Sequence, residues 1–177
     1  MGKGYDLKCK ACDYEISVTE GIGMLYSPDS VFYGHRKDKG HDWKKGVPDG
    51  CGEWDRPLLF SIIEDRKIRN KAFGLLANGA VPKTSGSGSM YGHELYVCPE
   101  CCRLANRFYF KLVSEEGEFE PDYRCSECDV SLCRVKAEHS DGGGIVLVRR
   151  DRSKVKWKCP ECGGGELVFG EGLLLWD

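Results

Sequence analysis

Four C-x-x-C pairs constrain this chain more than any other feature: Cys9/Cys12, Cys98/Cys101, Cys125/Cys128 and Cys159/Cys162. They use eight of its 11 cysteines and leave Cys51, Cys102 and Cys133 over. Two sulfurs three positions apart on a tight turn can aim at one point. Two such turns complete a tetrahedral four-thiolate shell with Zn–S distances of about 2.3 Å. Gly163 and Gly164, just after Cys162, would let the backbone turn around an ion. A thioredoxin-like role would need one such pair opening a helix in a βαβ unit, whereas these pairs sit among strand-like segments. Metal binding is therefore expected, as two closed sites.

The opening Met1-Gly2-Lys3-Gly4-Tyr5-Asp6 has neither the apolar stretch of a secretory signal nor the Ser or Thr of a myristoylation motif. A reducing, cytoplasmic location is the expectation, and it disfavours disulfides. The longest apolar runs are short, Ile145 to Val148 and Leu173 to Trp176, where a spanning helix needs about 20 residues, so no membrane partner is expected. With 31% charged residues and 41% apolar ones, the composition is that of a soluble globular protein. A net charge of −2 argues against a general nucleic-acid coat protein. Gly at 23 of 177 residues favours short strands and tight turns over long helices.

The text around the pairs resembles the zinc-ribbon superfamily. It reads Leu7-Lys8-Cys9-Lys10-Ala11-Cys12, Tyr96-Val97-Cys98-Pro99-Glu100-Cys101, Tyr123-Arg124-Cys125-Ser126-Glu127-Cys128 and Trp157-Lys158-Cys159-Pro160-Glu161-Cys162. It is most similar to uncharacterised bacterial proteins that carry several such ribbons. The resemblance implies metal ligation by all eight paired cysteines. It implies no particular activity, because ribbons serve in transcription, translation, modification enzymes and adaptors. Two Zn2+ ions are expected. Iron is the rival, because Cys159-Pro160-Glu161-Cys162-Gly163 also resembles half of a rubredoxin site.

Chain order slightly favours joining Cys9/Cys12 with Cys98/Cys101, and Cys125/Cys128 with Cys159/Cys162. The first loop then holds 85 residues and the second 30. The competing scheme joins Cys98/Cys101 with Cys125/Cys128, 23 residues apart, and clamps the chain ends by joining Cys9/Cys12 with Cys159/Cys162.

The expected fold class is a small metal-stabilised α+β protein: two four-cysteine zinc ribbons of short antiparallel strands with an inserted helical segment. Residues 1–34 read as an N-terminal β segment with the first knuckle, in which Tyr14, Ile16 and Val18 alternate with polar residues. Residues 35–81 read as a loop and helical insert. Its helix over 57–78 has Asp55 and Pro57 at its start and Leu58, Leu59, Ile62, Ile63, Ile68, Ala72, Leu75 and Leu76 on its apolar face. Asn78-Gly79 ends it, and Gly74 or the polar turn Arg66–Lys71 are the points at which it would divide. Residues 82–93, with Ser85-Gly86-Ser87-Gly88-Ser89, read as a flexible linker. Residues 94–177 read as a zinc-ribbon region with three knuckles. There Val155 and Trp157 face inward between Lys154, Lys156 and Lys158, and the apolar tail docks on the body. Cys133 reads as a small buried hydrophobe, and Cys102 as the same or as a substitute for Cys101.

Three functions follow as expectations. With every paired cysteine spent on a closed shell and no H-E-x-x-H pattern, the first is a non-enzymatic adaptor that docks on a macromolecule, preferably a protein. The second is a single-stranded nucleic-acid-binding protein. From Arg134 to Lys158 there are eight basic residues against three acidic, and Arg149, Arg150, Arg152, Lys154, Lys156, Trp157 and Lys158 would supply phosphate contacts and stacking. From Glu115 to Asp129 there are seven acidic residues against one basic, so neighbouring strands could instead neutralise one another. The third is an enzyme with His35, His41 and Cys51 converging in loop 34–56. The basic cluster Arg66, Lys67, Arg69 and Lys71 reads as a solvated helix face.

Overall fold

Hydrophobic alternation in the first 20 residues produces a hairpin. The computed structural model describes residues 2–23, 26–34, 57–85, 88–89, 91–140 and 142–176. Strands β1 (Gly2–Cys9) and β2 (Glu15–Glu20) pair antiparallel, with Tyr5 opposite Val18 and Leu7 opposite Ile16. These four side chains lie across from one another on one face, which is the pairing that stabilises a hairpin. Tyr5, Leu7 and Val18 are buried. On the polar face Ser17 donates to Asp6 at 2.7 Å, and at the edge of the buried face the Tyr5 hydroxyl donates to Glu20 at 2.7 Å.

The remaining strands are β3 (Val81–Pro82), β4 (Thr84–Ser85), β5 (Gly88–Ser89), β6 (Gly92–Val97), β7 (Leu104–Tyr109), β8 (Leu112–Ser114) and β9 (Gly117–Phe119), then β10 (Cys133–His139), β11 (Ile145–Arg149), β12 (Lys154–Val155) and β13 (Leu167–Trp176). Among the described residues, two short helices, α1 (Leu59–Ile62) and α2 (Arg66–Ala77), follow a π-helical turn at Asp29–Tyr33. The protein is a strand-rich α+β structure whose sheets are built from antiparallel pairs.

The chain divides into two units. One comprises residues 1–21, 93–107 and 122–177, the other 22–92 and 108–121. Gly92/His93 is one of the boundaries between them.

In the first unit β13, β1 and β2 form one sheet, and β12, β11, β10, β6 and β7 form another. The same three-strand arrangement occurs in both. A strand (β1 or β6) runs into a C-x-x-C turn and returns as its neighbour (β2 or β7). The strand that follows a second C-x-x-C turn (β13 or β10) then pairs on the other side of the first. One copy lies in the chain between the two halves of the other. Their buried faces meet in one core of Tyr5, Leu7, Tyr14, Val18, Leu95, Val97, Leu104, Val135, Leu147 and Leu167. Val155 and Trp157 pack against that core, and β12 carries Lys154 outward, as the alternation predicts. The tail Leu173–Trp176 pairs its backbone with Gly2–Tyr5. Between Tyr5 and Leu7 the register slips, because β13 spends extra residues at Gly170–Gly172. A Cβ on Gly170 would stand 2.9 Å from Asp6 Cβ and Lys8 Cε, so this bulge admits only glycine without a shift.

In the second unit Phe32 meets Tyr91 edge-on at 5.2 Å and Phe110 at 6.0 Å, and Val31, Leu59, Ile63, Ala72 and Leu112 are buried. The expected helix over 57–78 divides at Ile63–Asp65, earlier than either break point read from sequence. Ile63 is extended, and Asp65 accepts hydrogen bonds from the Lys67 and Ile68 N–H groups at 2.8 and 3.1 Å. An aspartate so placed caps a new helix rather than continuing the old one. Its Asn78-Gly79 end is where it was expected, with Gly79 at φ 90°. Arg69 donates to the carbonyls of Phe60 and Ile63, and Lys71 lies over the Phe119 ring at 4.9 Å, so two members of the basic cluster serve the fold. Within the expected linker, Thr84–Ser85 and Gly88–Ser89 pair as short strands.

Candidate metal centres

All four C-x-x-C turns share one backbone device. The N–H of the first cysteine donates to the carbonyl five residues on: Cys9 to Tyr14, Cys98 to Arg103, Cys125 to Val130 and Cys159 to Gly164, at 2.8 to 3.2 Å. In three of them the N–H of the residue after the second cysteine also donates back to the first cysteine's carbonyl, at 2.9 to 3.1 Å. That residue is left-handed in each case: Cys102 at φ 58°, Asp129 at 52° and Gly163 at 71°. Cys102 therefore occupies a turn position, and it stands in neither sulfur group. N–H groups from Ala11 and Cys101 point at Cys9 and Cys98 sulfur, both at 3.4 Å.

Two groups of four sulfurs result, Cys9 with Cys12, Cys159 and Cys162, and Cys98 with Cys101, Cys125 and Cys128. Within each, all sulfurs lie within 4.8 Å of one another. Sγ–Sγ distances are 3.8 Å for Cys9–Cys162, 3.4 Å for Cys12–Cys159 and 3.6 Å for Cys101–Cys125. A tetrahedron with Zn–S bonds of about 2.3 Å places its sulfurs about 3.8 Å apart, whereas a disulfide would hold them at about 2.05 Å. The residues present fit a tetrahedral ion. The pairing favoured by chain order is corrected: the central knuckles join each other, and the first joins the last. Strand order dictates this, because β10 pairs with β6 and β13 with β1.

Compared with protein families, curated proteins and solved structures, the chain matches none.

Crowded thiols resist ionising together. Burial opposes ionisation of Cys125, yet the N–H groups of Cys128 and Glu127 and the sulfurs of Cys101 and Cys98 carry it down to about 7. Burial opposes ionisation of Cys159 in the same way, and the equivalent contacts from Cys162, Glu161 and Cys12 bring it to about 7. Cys128 is pushed up to about 12, first by Cys101 and then by burial. A dication at the centre would reverse that resistance, since a coordinating thiol is deprotonated.

The two groups are braced together. The Leu104 N–H donates to the Tyr14 hydroxyl at 3.1 Å, and the Trp157 indole N–H donates to the Cys102 carbonyl at 2.9 Å. Tyr14 and Trp157 are 6.0 Å apart, ring to ring. Trp157 is thus held by the fold at half-burial, while Arg149, Arg150, Arg152, Lys154, Lys156 and Lys158 are exposed. Phe108, the aromatic residue of β7 next to Tyr109, is buried and offers no stacking surface. The acidic run finds cationic partners: Glu118 meets Lys83 and Lys111, Glu120 meets Lys111, and Asp129 meets Arg124. Cys133 packs half-buried against the core. His35, His41 and Cys51 lie outside the described residues.

Sequence reasoning missed Gly165. It sits at φ 86°, and a Cβ there would come within 2.5 Å of Cys9 sulfur and 3.3 Å of Ala11 Cβ. The run of three glycines after Cys162 is the available signal, of which the spacing argument uses only the first two as turn-makers.

Proposed function

We propose that the chain is a non-enzymatic zinc-ribbon module, with two structural Zn2+ ions, that docks on a protein partner in a reducing, cytoplasmic compartment. The observation that carries this reading is the closed donor set: each group offers four thiols and no His or carboxylate. A catalytic zinc keeps a position open for water or substrate, and a structural one does not. The repeated strand arrangement, with a C-x-x-C turn after the first strand of each, supports reading the two as ribbons. No helix among the described residues is long and apolar enough to cross a membrane.

Elemental analysis of purified protein, with absorbance to exclude iron–thiolate bands, tests the metal. A crosslinking pull-down from cells tests the partner. Two zinc ions and a recurrent protein partner are expected. A protein free of zinc, or one that crosslinks to no protein, contradicts the reading. Exposure of the six cations between Arg149 and Lys158 supports a second reading, single-stranded nucleic-acid binding, whose mark would be steep salt dependence. Trp157 would then support the binding strand and not stack on a base.

A further inference from the structure

The first unit contains a groove that neither metal centre uses. It lies on the face of β6, β10 and β11 opposite the core and encloses about 300 Å³. Register explains its lining. Val135 and Leu147 face the core, so their neighbours face out: Glu94 is aligned through Val135–Leu95 pairing with Lys136, and Lys136 pairs with Val148. Arg134 and Glu138 flank Lys136 on the same side of β10. Arg149 ends β11, and Arg150 and Arg152 come from the turn that follows it.

Five cationic side chains and two carboxylates line this space, in a chain whose net charge is −2. The floor is fixed. Arg134, whose side chain is 12% exposed, grips Glu94 through two nitrogens at 3.0 and 3.3 Å. Burial pushes the Glu94 carboxyl above its usual range, and Arg134, Arg150 and Lys136 pull it back. The rim is pinned as well. Asp151 accepts from the N–H and hydroxyl of Ser153 at 2.9 and 2.6 Å, and the Arg149 and Arg152 N–H groups close the turn. Arg152 is held left-handed, at φ 67°, and reaches back towards Glu138 at 3.8 Å.

We propose that this groove is a binding site for a phosphoryl dianion carried by a small phosphate ester. Arginine forks match phosphate oxygens two at a time, and a concave wall concentrates the field of several cations on one anion. Seven of the nine lining residues are charged, so the groove suits a phosphoryl group better than a lipid chain. The volume is at the small end for ligand sites, which fits one compact anion better than a strand laid across the sheet. This site is separate from the row Lys154, Lys156 and Lys158, none of which lines it, and it does not depend on the adaptor reading.

The test is an NMR titration of the metal-loaded protein with inorganic phosphate and, separately, with a single-stranded RNA of about 12 nucleotides at low salt. Saturable shifts at the amides of Lys136 and Arg150 are expected with phosphate alone. The pair Lys136→Ala and Arg150→Ala should weaken that binding by about tenfold, while Lys154→Ala, Lys156→Ala and Lys158→Ala together leave it unchanged. Retention of both metal ions shows that each variant is folded. No response to phosphate, equal binding by the Lys136/Arg150 variant, or loss only in the lysine variant would each overturn the proposal. So would RNA binding that phosphate does not displace.

Discussion

A single methyl group separates two behaviours among the glycines after Cys162. Gly164 has open space around it, so Gly164→Ala should change stability by less than about 0.5 kcal/mol. Gly165→Ala would place a Cβ 2.5 Å from Cys9 sulfur in a left-handed conformation. It should lower stability by about 2 kcal/mol and weaken the metal site containing Cys9. Thermal melts with a competing zinc indicator compare the two directly. Equal behaviour would remove Gly165 from the site. Cys102 gives a second contrast. Cys102→Ser should keep both metal ions, and Cys101→Ser should lose one, as read by elemental analysis; loss of an ion from the Cys102 variant would make that residue a ligand. Residue identity was legible here to a useful degree. The spacing of the eight cysteines foretold two four-sulfur groups, and the alternation around Tyr14 and Val155 foretold which side chains go inward. Gly165 escaped because its constraint comes from Cys9, more than 150 residues away in the chain, which no local pattern reports.

Elements were legible where one face is buried and less so where a side chain competes with the backbone. Apolar residues recur at helical spacing on both sides of Glu64–Lys67, so the break is legible but its place is not: Asp65 offers its carboxylate to the next turn and starts a fresh helix. Asp65→Ala should therefore destabilise the second unit by about 1 kcal/mol in chemical denaturation. No change would mean that packing alone sets the break. Residues 85–89 have the composition of a linker, yet Thr84–Ser85 pairs with Gly88–Ser89, and composition does not tell linker from strand. The brace between the knuckles is testable in the same way. Trp157→Phe keeps an aromatic side chain but removes the indole N–H and one fused ring, leaving the Cys102 carbonyl without its donor. A loss of at least about 1 kcal/mol is expected, from the lost hydrogen bond and the lost packing together.

At the scale of the whole molecule, one three-stranded unit is threaded into the loop of another. The inner sulfur group closes about 30 residues and the outer about 150, a difference worth about 1 kcal/mol of chain entropy. The outer group also holds Cys162, the one exposed cysteine of the eight. The outer ion should leave first under limiting chelator. Native mass spectrometry would then find a singly loaded species in which thiol alkylation reaches Cys9, Cys12, Cys159 and Cys162, and labelling of the inner four instead would reverse the order. The nesting was not legible, because a C-x-x-C turn names its ion and not its partner. Both pairings satisfy the spacing, and only the pairing of β13 with β1 separates them. The most direct measurement of the account is metal stoichiometry in two double variants. Cys9→Ser with Cys159→Ser should retain one ion, and Cys9→Ser with Cys98→Ser should retain none. The opposite pattern, one ion in the second variant and none in the first, would contradict the nested arrangement.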